Sequence, residues 1–246
     1  MVKDFFKKIW RFTWKTTIWF FIISISSVIL FRWIPLPVTP LMLIRCVEQK
    51  IDGKVIKLKK DWVSLEEISP NLQLAVVCSE DQNFIDHSGF DFEAINKAMD
   101  YNAKHKKQRG ASTISQQTAK NVFLWSGRSW VRKGFEVYFT FLIETFWSKQ
   151  RIMQVYLNVI EMGDGIYGAQ AASTTFFHKD AKNLTKGESS LIAAVLPNPR
   201  KFSIANPSPY VRKRQAWIIH QMALWGSALS YEEKVEKYDG RKKRKK

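Results

Sequence analysis

The sequence predicts a mainly α-helical protein carried behind a single membrane-spanning helix. Three observations point there. The run from Thr16 to Phe31 holds no charge and is closed by Lys15 and Arg32. Helix-start signals of the Ser-Pro and Thr-x-x-Glu kind recur along the rest of the chain. Only one stretch, VIKLKKDWV at 55–63, alternates as a half-buried strand would.

The elements follow in order. Residues 1–15 carry Lys3, Lys7, Lys8, Arg11 and Lys15 against Asp4, a basic head that should stay in the cytoplasm. As helix, the uncharged run covers about 24 Å, short of a hydrocarbon core of ~30 Å. Lys15 and Arg32 can snorkel, and Trp10, Trp14 and Trp33 suit the two interfaces, so 16–34 is read as one anchor. Pro35, Pro37 and Pro40 stop that helix beyond Trp33. A cleaved signal peptide is the weaker reading, because the small triplet Ser24-Ile25-Ser26 sits mid-run. The body, 35–240, then falls outside the cytoplasm. Ser69-Pro70 caps a helix through LQLAVVCSE, and Asp91 caps another in which Phe92, Ile95 and Met99 recur at helical spacing. Helices are expected over Thr113–Val122, Trp130–Trp147 and Lys149–Ile160. Thr185-Lys-Gly-Glu188 is a capping box before LIAAVL, and Ser208-Pro209 opens a last helix that Gly226 closes. The tail RKKRKK, 241–246, reads as a solvated extension, with contact to anionic lipid or wall polymer as the alternative.

Composition narrows the class. The 246 residues carry 39 Lys+Arg against 22 Asp+Glu, a net charge of +17. A surplus of that size wants an anionic partner, whether nucleic acid, anionic lipid or a phosphorylated substrate. With 17 Phe and 10 Trp the chain is not a disordered one. Two cysteines, Cys46 and Cys78, exclude a disulfide scaffold and a Cys-rich zinc site; Cys78 in LAVVC reads as a small buried thiol, and a single Cys46–Cys78 bridge stays open. No GxGxxG, P-loop, HExxH or GxSxG pattern is present, so nucleotide-binding and common hydrolase readings lack support.

Polar residues instead crowd three helix ends. Glu80-Asp81-Gln-Asn-Phe84-Ile-Asp-His87-Ser-Gly89 follows an apolar helix, a poor solvated face but a good way to hold a carboxylate at a cleft mouth. Gly110-Ala-Ser112-Thr113-Ile-Ser-Gln116-Gln117-Thr-Ala-Lys120-Asn121 sets hydroxyls and main-chain NH groups at a helix start, where an anion can sit. Arg128-Ser-Trp-Val-Arg132-Lys133-Gly-Phe-Glu136 puts Arg132 and Glu136 on one helix face. Singly, each has a plainer reading: a surface ion pair, a structural histidine, a helix cap, a polar surface. Together they describe a candidate base, an anion cradle and a cation cluster, as glycosyl transfer from a phosphate-linked donor requires.

The first cluster resembles the opening motif of the peptidoglycan glycosyltransferases (family 51), E-D-x-x-F-x-x-H-x-G. The second resembles G-x-S-T-x-x-Q-Q-x-x-K-N, and Arg132-Lys133-Gly-Phe-Glu136 resembles R-K-x-x-E. KQRIMQVYLN at 149–158 and ESSLIAAVLPNP at 188–199 are similar to the fourth and fifth motifs, with Gln154 where many relatives carry Glu. No transpeptidase domain follows the fifth motif, as in the monofunctional, membrane-anchored members. The resemblance implies a lysozyme-like helical head with a smaller membrane-facing jaw. It implies an inverting transferase that polymerises lipid II into β-1,4-linked glycan at the outer side of a bacterial inner membrane. Glu80 is then the general base and Glu136 the second essential carboxylate, which holds the neighbouring cations or a divalent metal, Mg or Mn. Ser112, Gln116, Gln117, Lys120, Arg128, Arg132 and Lys133 would bind the donor, and Asp81, Phe84, His87 and Gly89 would support the loop around Glu80. The implied partners are lipid II, the nascent strand, the membrane and other cell-wall synthesis or division proteins, with no role for nucleic acid. VFLW at 122–125 could dip into lipid or belong to the core. A lytic enzyme on the same fold would also use one Glu, but has no need of Lys120, Arg128 and Arg132 around a diphosphate. A non-enzymatic cationic binding protein would leave Glu80 and Glu136 unexplained.

Overall fold

The computed structural model describes residues 2–105, 110–127, 129–226 and 229–231; Arg128 and the RKKRKK tail lie outside the described residues. The chain divides into two units, 1–35 and 36–246. The first is one helix, α1 (Val2–Phe31), long and apolar enough to cross a membrane. It takes in the basic head as well as the uncharged run, 30 residues or about 45 Å in all. Its hydroxyls are satisfied locally: Thr16 and Thr17 donate to the carbonyls four residues back, and Ser24 and Ser27 to those three back. No hydroxyl of the four needs water, which suits a lipid surrounding.

The second unit is mainly helical. Its first helix, α2 (Pro40–Ile51), is absent from the sequence-based expectation, which took the three prolines only as a stop. Pro40 in fact occupies the first turn, where a missing N–H costs nothing, and Thr39 caps it by accepting from the Met42 amide at 3.4 Å. The expected strand shrinks to β1 (Lys59–Lys60), with Val55 and Ile56 left exposed. A 3₁₀ turn (Leu65–Glu67) leads to α3 (Pro70–Glu80) and then α4 (Phe92–Lys104), capped by Ser69 and Asp91 as read. The stripe expected on α4 is not buried, however: Phe92 and Met99 are exposed, and Ala98 is the residue packed inward. Next come α5 (Ile114–Phe123), α6 (Trp130–Phe146) and α7 (Lys149–Val159), within a residue of expectation.

Two strands and a helix that carried no sequence signal follow: β2 (Glu161–Gly163), β3 (Ile166–Tyr167) and α8 (Ala169–Phe177), which has no side-chain cap. Parallel pairing of β1 with β3 and antiparallel pairing of β3 with β2 gives the order β1-β3-β2. At the β2–β3 turn, Gly165 (φ +69°) brings its backbone against the Lys57 carbonyl, which an added Cβ would approach to 2.3 Å. A second 3₁₀ turn (Ala181–Asn183), α9 (Lys186–Val195) and α10 (Pro209–Trp225) complete the unit.

Two packed groups form its core. In one, α3 is buried on nearly every side, from Leu72 to Cys78, against α9 and α10. In the other, α5 packs on α6 and α7. Val122 and Leu124 are buried there and Phe123 stacks on Phe139 at 4.5 Å, so VFL belongs to the core and Trp125 alone stands out. Both cysteines are free, and burial pushes the Cys78 thiol up to about 11.

Asn158, fully buried on α7, ties the body to the segment before α3. Its Oδ1 accepts from the Val63 amide and its Nδ2 donates to the Val63 carbonyl, both at 3.0 Å. Asn158→Ala leaves both Val63 groups unpaired, and should lower stability by about 1–3 kcal/mol. A chemical or thermal melt of the detergent-solubilised protein measures it, and an unchanged midpoint would show that water replaces the amide.

Candidate active site

Helix α3 ends where Asp81 leaves helical geometry, at φ −162° and ψ 79°, and the last helical side chain, Glu80, points into the space that opens there. Glu80 lies between two hollows. One, of about 440 Å³, is lined by Arg45, Lys120, Asn121, Glu161 and Arg200. The other, of about 280 Å³, is lined by Asp81, Asp91, Glu93, Lys97 and Trp217. Glu80 and the exposed Ser112 border both.

The first motif is held by one buried acid. Asp81 Oδ2 accepts from the Ile114 amide at the start of α5 at 2.9 Å, and Oδ1 from His87 Nε2 at 2.9 Å. Gly89 N donates to His87 Nδ1 at 3.1 Å, which puts the ring proton on Nε2, facing Asp81. Gly89 has φ +87°, and a Cβ there would come within 2.9 Å of Thr140 and Glu144. Its carbonyl accepts from Thr113 Oγ1 at 2.7 Å. Phe84 is fully buried beneath the loop, with Lys149 Nζ 4.7 Å from its ring centre. Asp81, Phe84, His87 and Gly89 therefore build the loop that follows Glu80.

The second motif divides. Thr113 and Gln116 form a capping box: Thr113 Oγ1 accepts from the Gln116 amide at 3.1 Å and Gln116 Oε1 from the Thr113 amide at 3.0 Å. Gln116 is buried in that role and lines neither hollow beside Glu80, unlike the donor contact expected of it. Gln117, one residue on, faces the site. Its Nε2 donates to Glu80 Oε2 at 3.1 Å, while its Oε1 accepts from Tyr156 OH at 3.3 Å. Tyr156 is wholly buried on α7, and burial, with the nearby Glu80 and Asp81 charges, holds its phenol well above the usual range. A hydroxyl that keeps its proton fixes which end of the Gln117 amide meets Glu80. Tyr156 lies within the fourth motif but was not singled out, because its chemistry shows only through the fold.

Around Glu136 the third motif forms a compact ionic cluster. Glu136 is 3% exposed; Arg132 Nη1 donates to its Oε2 at 2.9 Å and Lys133 Nζ to its Oε1. The Arg132–Glu136 pair is thus a largely buried one rather than a surface bridge. Burial lowers the Lys120 amine below the usual lysine value, Glu136 opposes that shift, and Arg132 and Lys133 add to it. Glu136, the residue expected to hold a divalent metal, already meets two cations in this arrangement. Both carboxylate oxygens are already taken by cations, and among the described residues no group of three His, Cys, Asp or Glu side chains could share an ion.

Four residues that sequence reasoning missed border this site. Arg45 comes from α2, itself unread, and Arg200 from just past the fifth motif, where Asn198-Pro199-Arg200 was the available signal. Arg45 pairs with Glu48, which Arg200 also approaches at 3.7 Å, and the Arg45 hydrogen bond holds the Glu48 carboxyl below its ordinary range. Glu161 starts β2 and accepts from the Gly165 amide at 3.1 Å; burial raises its carboxyl pKa. Arg214, on α10, reaches Glu80 itself at 3.2 Å.

Asp81→Ala removes the acceptor for two buried donors, and should cost about 2–4 kcal/mol of stability. Hydrogen exchange localises the effect: the Ile114 amide should lose its protection while α9 keeps its own. Equal protection of Ile114 in both proteins would show that Asp81 is not what fixes α5.

Comparison with known proteins bears on this geometry. Residues 48–223, from within α2 to near the end of α10, match the model of the transglycosylase family. A biosynthetic peptidoglycan transglycosylase of Bacteroides thetaiotaomicron is 56% identical over 241 residues, 98% of this chain and 97% of the relative. Those of Bdellovibrio bacteriovorus (56% over 209 residues, 85% and 84%) and Pseudomonas aeruginosa (49% over 222, 90% and 94%) are similar over most of both lengths. A match this long encloses α3 through α9 and every motif that builds the cleft, and the chain belongs to the transglycosylase family.

Proposed function

We propose that this chain polymerises the glycan strands of peptidoglycan, using lipid II as substrate and releasing undecaprenyl diphosphate. The observation that carries the reading is Glu80, a carboxylate held by an amide and a guanidinium between two hollows, one of them lined with cations. The acceptor sugar's 4-hydroxyl gives its proton to Glu80 as its oxygen attacks the anomeric carbon of the donor strand. The bond from that carbon to the diphosphate breaks as the new one forms, so an α-linked donor yields a β-1,4 product. The diphosphate leaves as an anion, and Lys120, Arg132 and Lys133 stabilise its growing charge. Glu136 keeps those cations in place, Gln117 orients the base, and Ser112 stands at the mouth shared by both hollows. α1 anchors the enzyme in the inner membrane. Its basic N-terminal end faces the cytoplasm and the catalytic unit the periplasm, where substrate and product hang from the same bilayer.

Glu80→Gln should fold normally and still bind the lipid-linked donor, because the amide is nearly isosteric. It should lose polymerisation by about 10²–10⁴-fold, since it cannot take a proton. Gel sizing of products from lipid II, and from preformed glycan, separates the readings. The wild type should lengthen strands and leave finished glycan uncut; shortening of finished glycan would make the enzyme lytic, and full polymerisation by the Gln variant would remove the base.

The lowered pKa of Lys120 sets a pH dependence. A depressed value means the amine sheds its proton sooner as pH rises, so the cation is present at low pH and lost on the alkaline side. Polymerisation should fall there with a midpoint below 10.5, the ordinary lysine value. Lys120→Arg keeps its charge throughout and should move that limb upward. Limbs at the same pH in both proteins would assign it to another group.

A further inference from the structure

Arg214 belongs to none of the five motifs, and its neighbours Arg212 and Lys213 read as a solvated face of α10. Its guanidinium nonetheless crosses to the end of α3. Nη2 donates to Glu80 Oε1 at 3.2 Å, to Ser79 Oγ at 2.9 Å and to the Ser79 carbonyl at 3.4 Å. Ser79 Oγ in turn donates to the same Glu80 oxygen at 3.0 Å. The other oxygen, Oε2, receives the Gln117 amide at 3.1 Å. The carboxylate is therefore held from two sides, Oε1 by α10 and Oε2 by α5. Both partners of the ion pair are largely sheltered, at 23% and 12% side-chain exposure, where a charge-assisted bond is stronger than on an open surface.

Among the described residues the rest of the Arg214 side chain is not locked by a network of its own: Nε is buried with no hydrogen-bond partner there. What its reach satisfies is Ser79 and Glu80. A glutamate ending a helix has three rotatable bonds, so its carboxylate can swing between staggered rotamers unless neighbours hold it. We infer that Arg214 is a positioning residue for the base: with Ser79 it pins Oε1, so that Oε2 is the oxygen presented to the acceptor hydroxyl. The guanidinium touches no reacting atom. It acts by holding Glu80 ready before substrate arrives, which matters because misplacement by about 1 Å can cost 10²-fold in rate. Since Nη2 alone makes the contacts, an ammonium at the same place can supply most of them.

This inference rests on Glu80 being the base, and the test keeps the two apart. Initial rates of the full chain in detergent, over a range of lipid II concentrations, are compared for wild type, Arg214→Gln, Arg214→Lys, Glu80→Gln and the Arg214→Gln/Glu80→Gln double variant. Arg214→Gln should lower kcat by about 10–100-fold with KM within about twofold, and Arg214→Lys should recover most of the loss. The thermal midpoint should differ little among the variants. In the double variant Arg214→Gln should add nothing to the loss from Glu80→Gln, the signature of a residue that acts through another. Losses that multiply, a loss confined to KM, or wild-type kcat in Arg214→Gln would each overturn the role of Arg214 and leave the base standing. Full turnover in Glu80→Gln would remove the base and the positioning role with it.

Discussion

Asp81 is 6% exposed, and a carboxylate so buried persists only where proton donors surround it. The Ile114 amide and His87 Nε2 supply them, and His87 is itself aligned by the Gly89 amide. One side chain thus joins the end of α3, the loop that follows it and the first turn of α5. The reactive geometry follows from that join. Glu80 precedes Asp81 directly, and Gln117 stands one turn into the helix whose start Asp81 holds. Their 3.1 Å contact is therefore fixed by a bond that neither residue makes. Thr113 strengthens the same corner from both directions, capping α5 through the Gln116 amide and donating to the Gly89 carbonyl.

The two glutamates of the site differ because their surroundings differ. Glu80 is met by an amide, a hydroxyl and a single guanidinium, and it borders open hollows on both sides. A carboxylate so placed keeps lone pairs for an incoming proton. Glu136 is enclosed, with each oxygen given to a cation. Its oxygens are spent on structure, and breaking that pair from either side would strand a buried charge at a cost of about 3–5 kcal/mol. In the proposed reaction one carboxylate does the chemistry, and the other gathers cations beside it.

Much of this was legible in the sequence because it is local. Caps at Ser69, Asp91, Thr113, Thr185 and Ser208 announce their helices within four residues, and each helix begins where its cap says. The motif residues around Glu80, Lys120 and Glu136 also lie close together in sequence; Lys120 lines a hollow that Glu80 borders and lies within electrostatic reach of Glu136, Arg132 and Lys133, which line neither hollow. What stayed hidden is set by distant partners. β2 and β3 exist because β1, about a hundred residues earlier in sequence, lies alongside, and nothing within Glu161–Tyr167 states that. α8 begins at Gly168 without a capping side chain. Gln116 and Gln117 are adjacent and chemically identical, yet one closes a capping box and the other meets the base; helix phase decides, and a motif does not record it. Arg214 lies over a hundred residues from Glu80, on a helix whose charge pattern looks wholly solvated.

The cation cluster shows why a transferase of this kind stores an acid among its bases. Burial lowers the Lys120 amine below the usual lysine value, Arg132 and Lys133 add to that shift, and Glu136 opposes it. Glu136 offsets one of the three charges and leaves two. That surplus is what a diphosphate needs. In the proposed reaction a fully neutralised cluster would offer a leaving anion nothing. A surplus held rigidly by the Glu136 carboxylate stabilises charge as it develops without first having to reorganise, and in a sheltered site such stabilisation is the largest single term in many enzymes. In the proposed reaction the position of Glu136, buried one helical turn beyond Arg132, thus serves the chemistry as much as the fold.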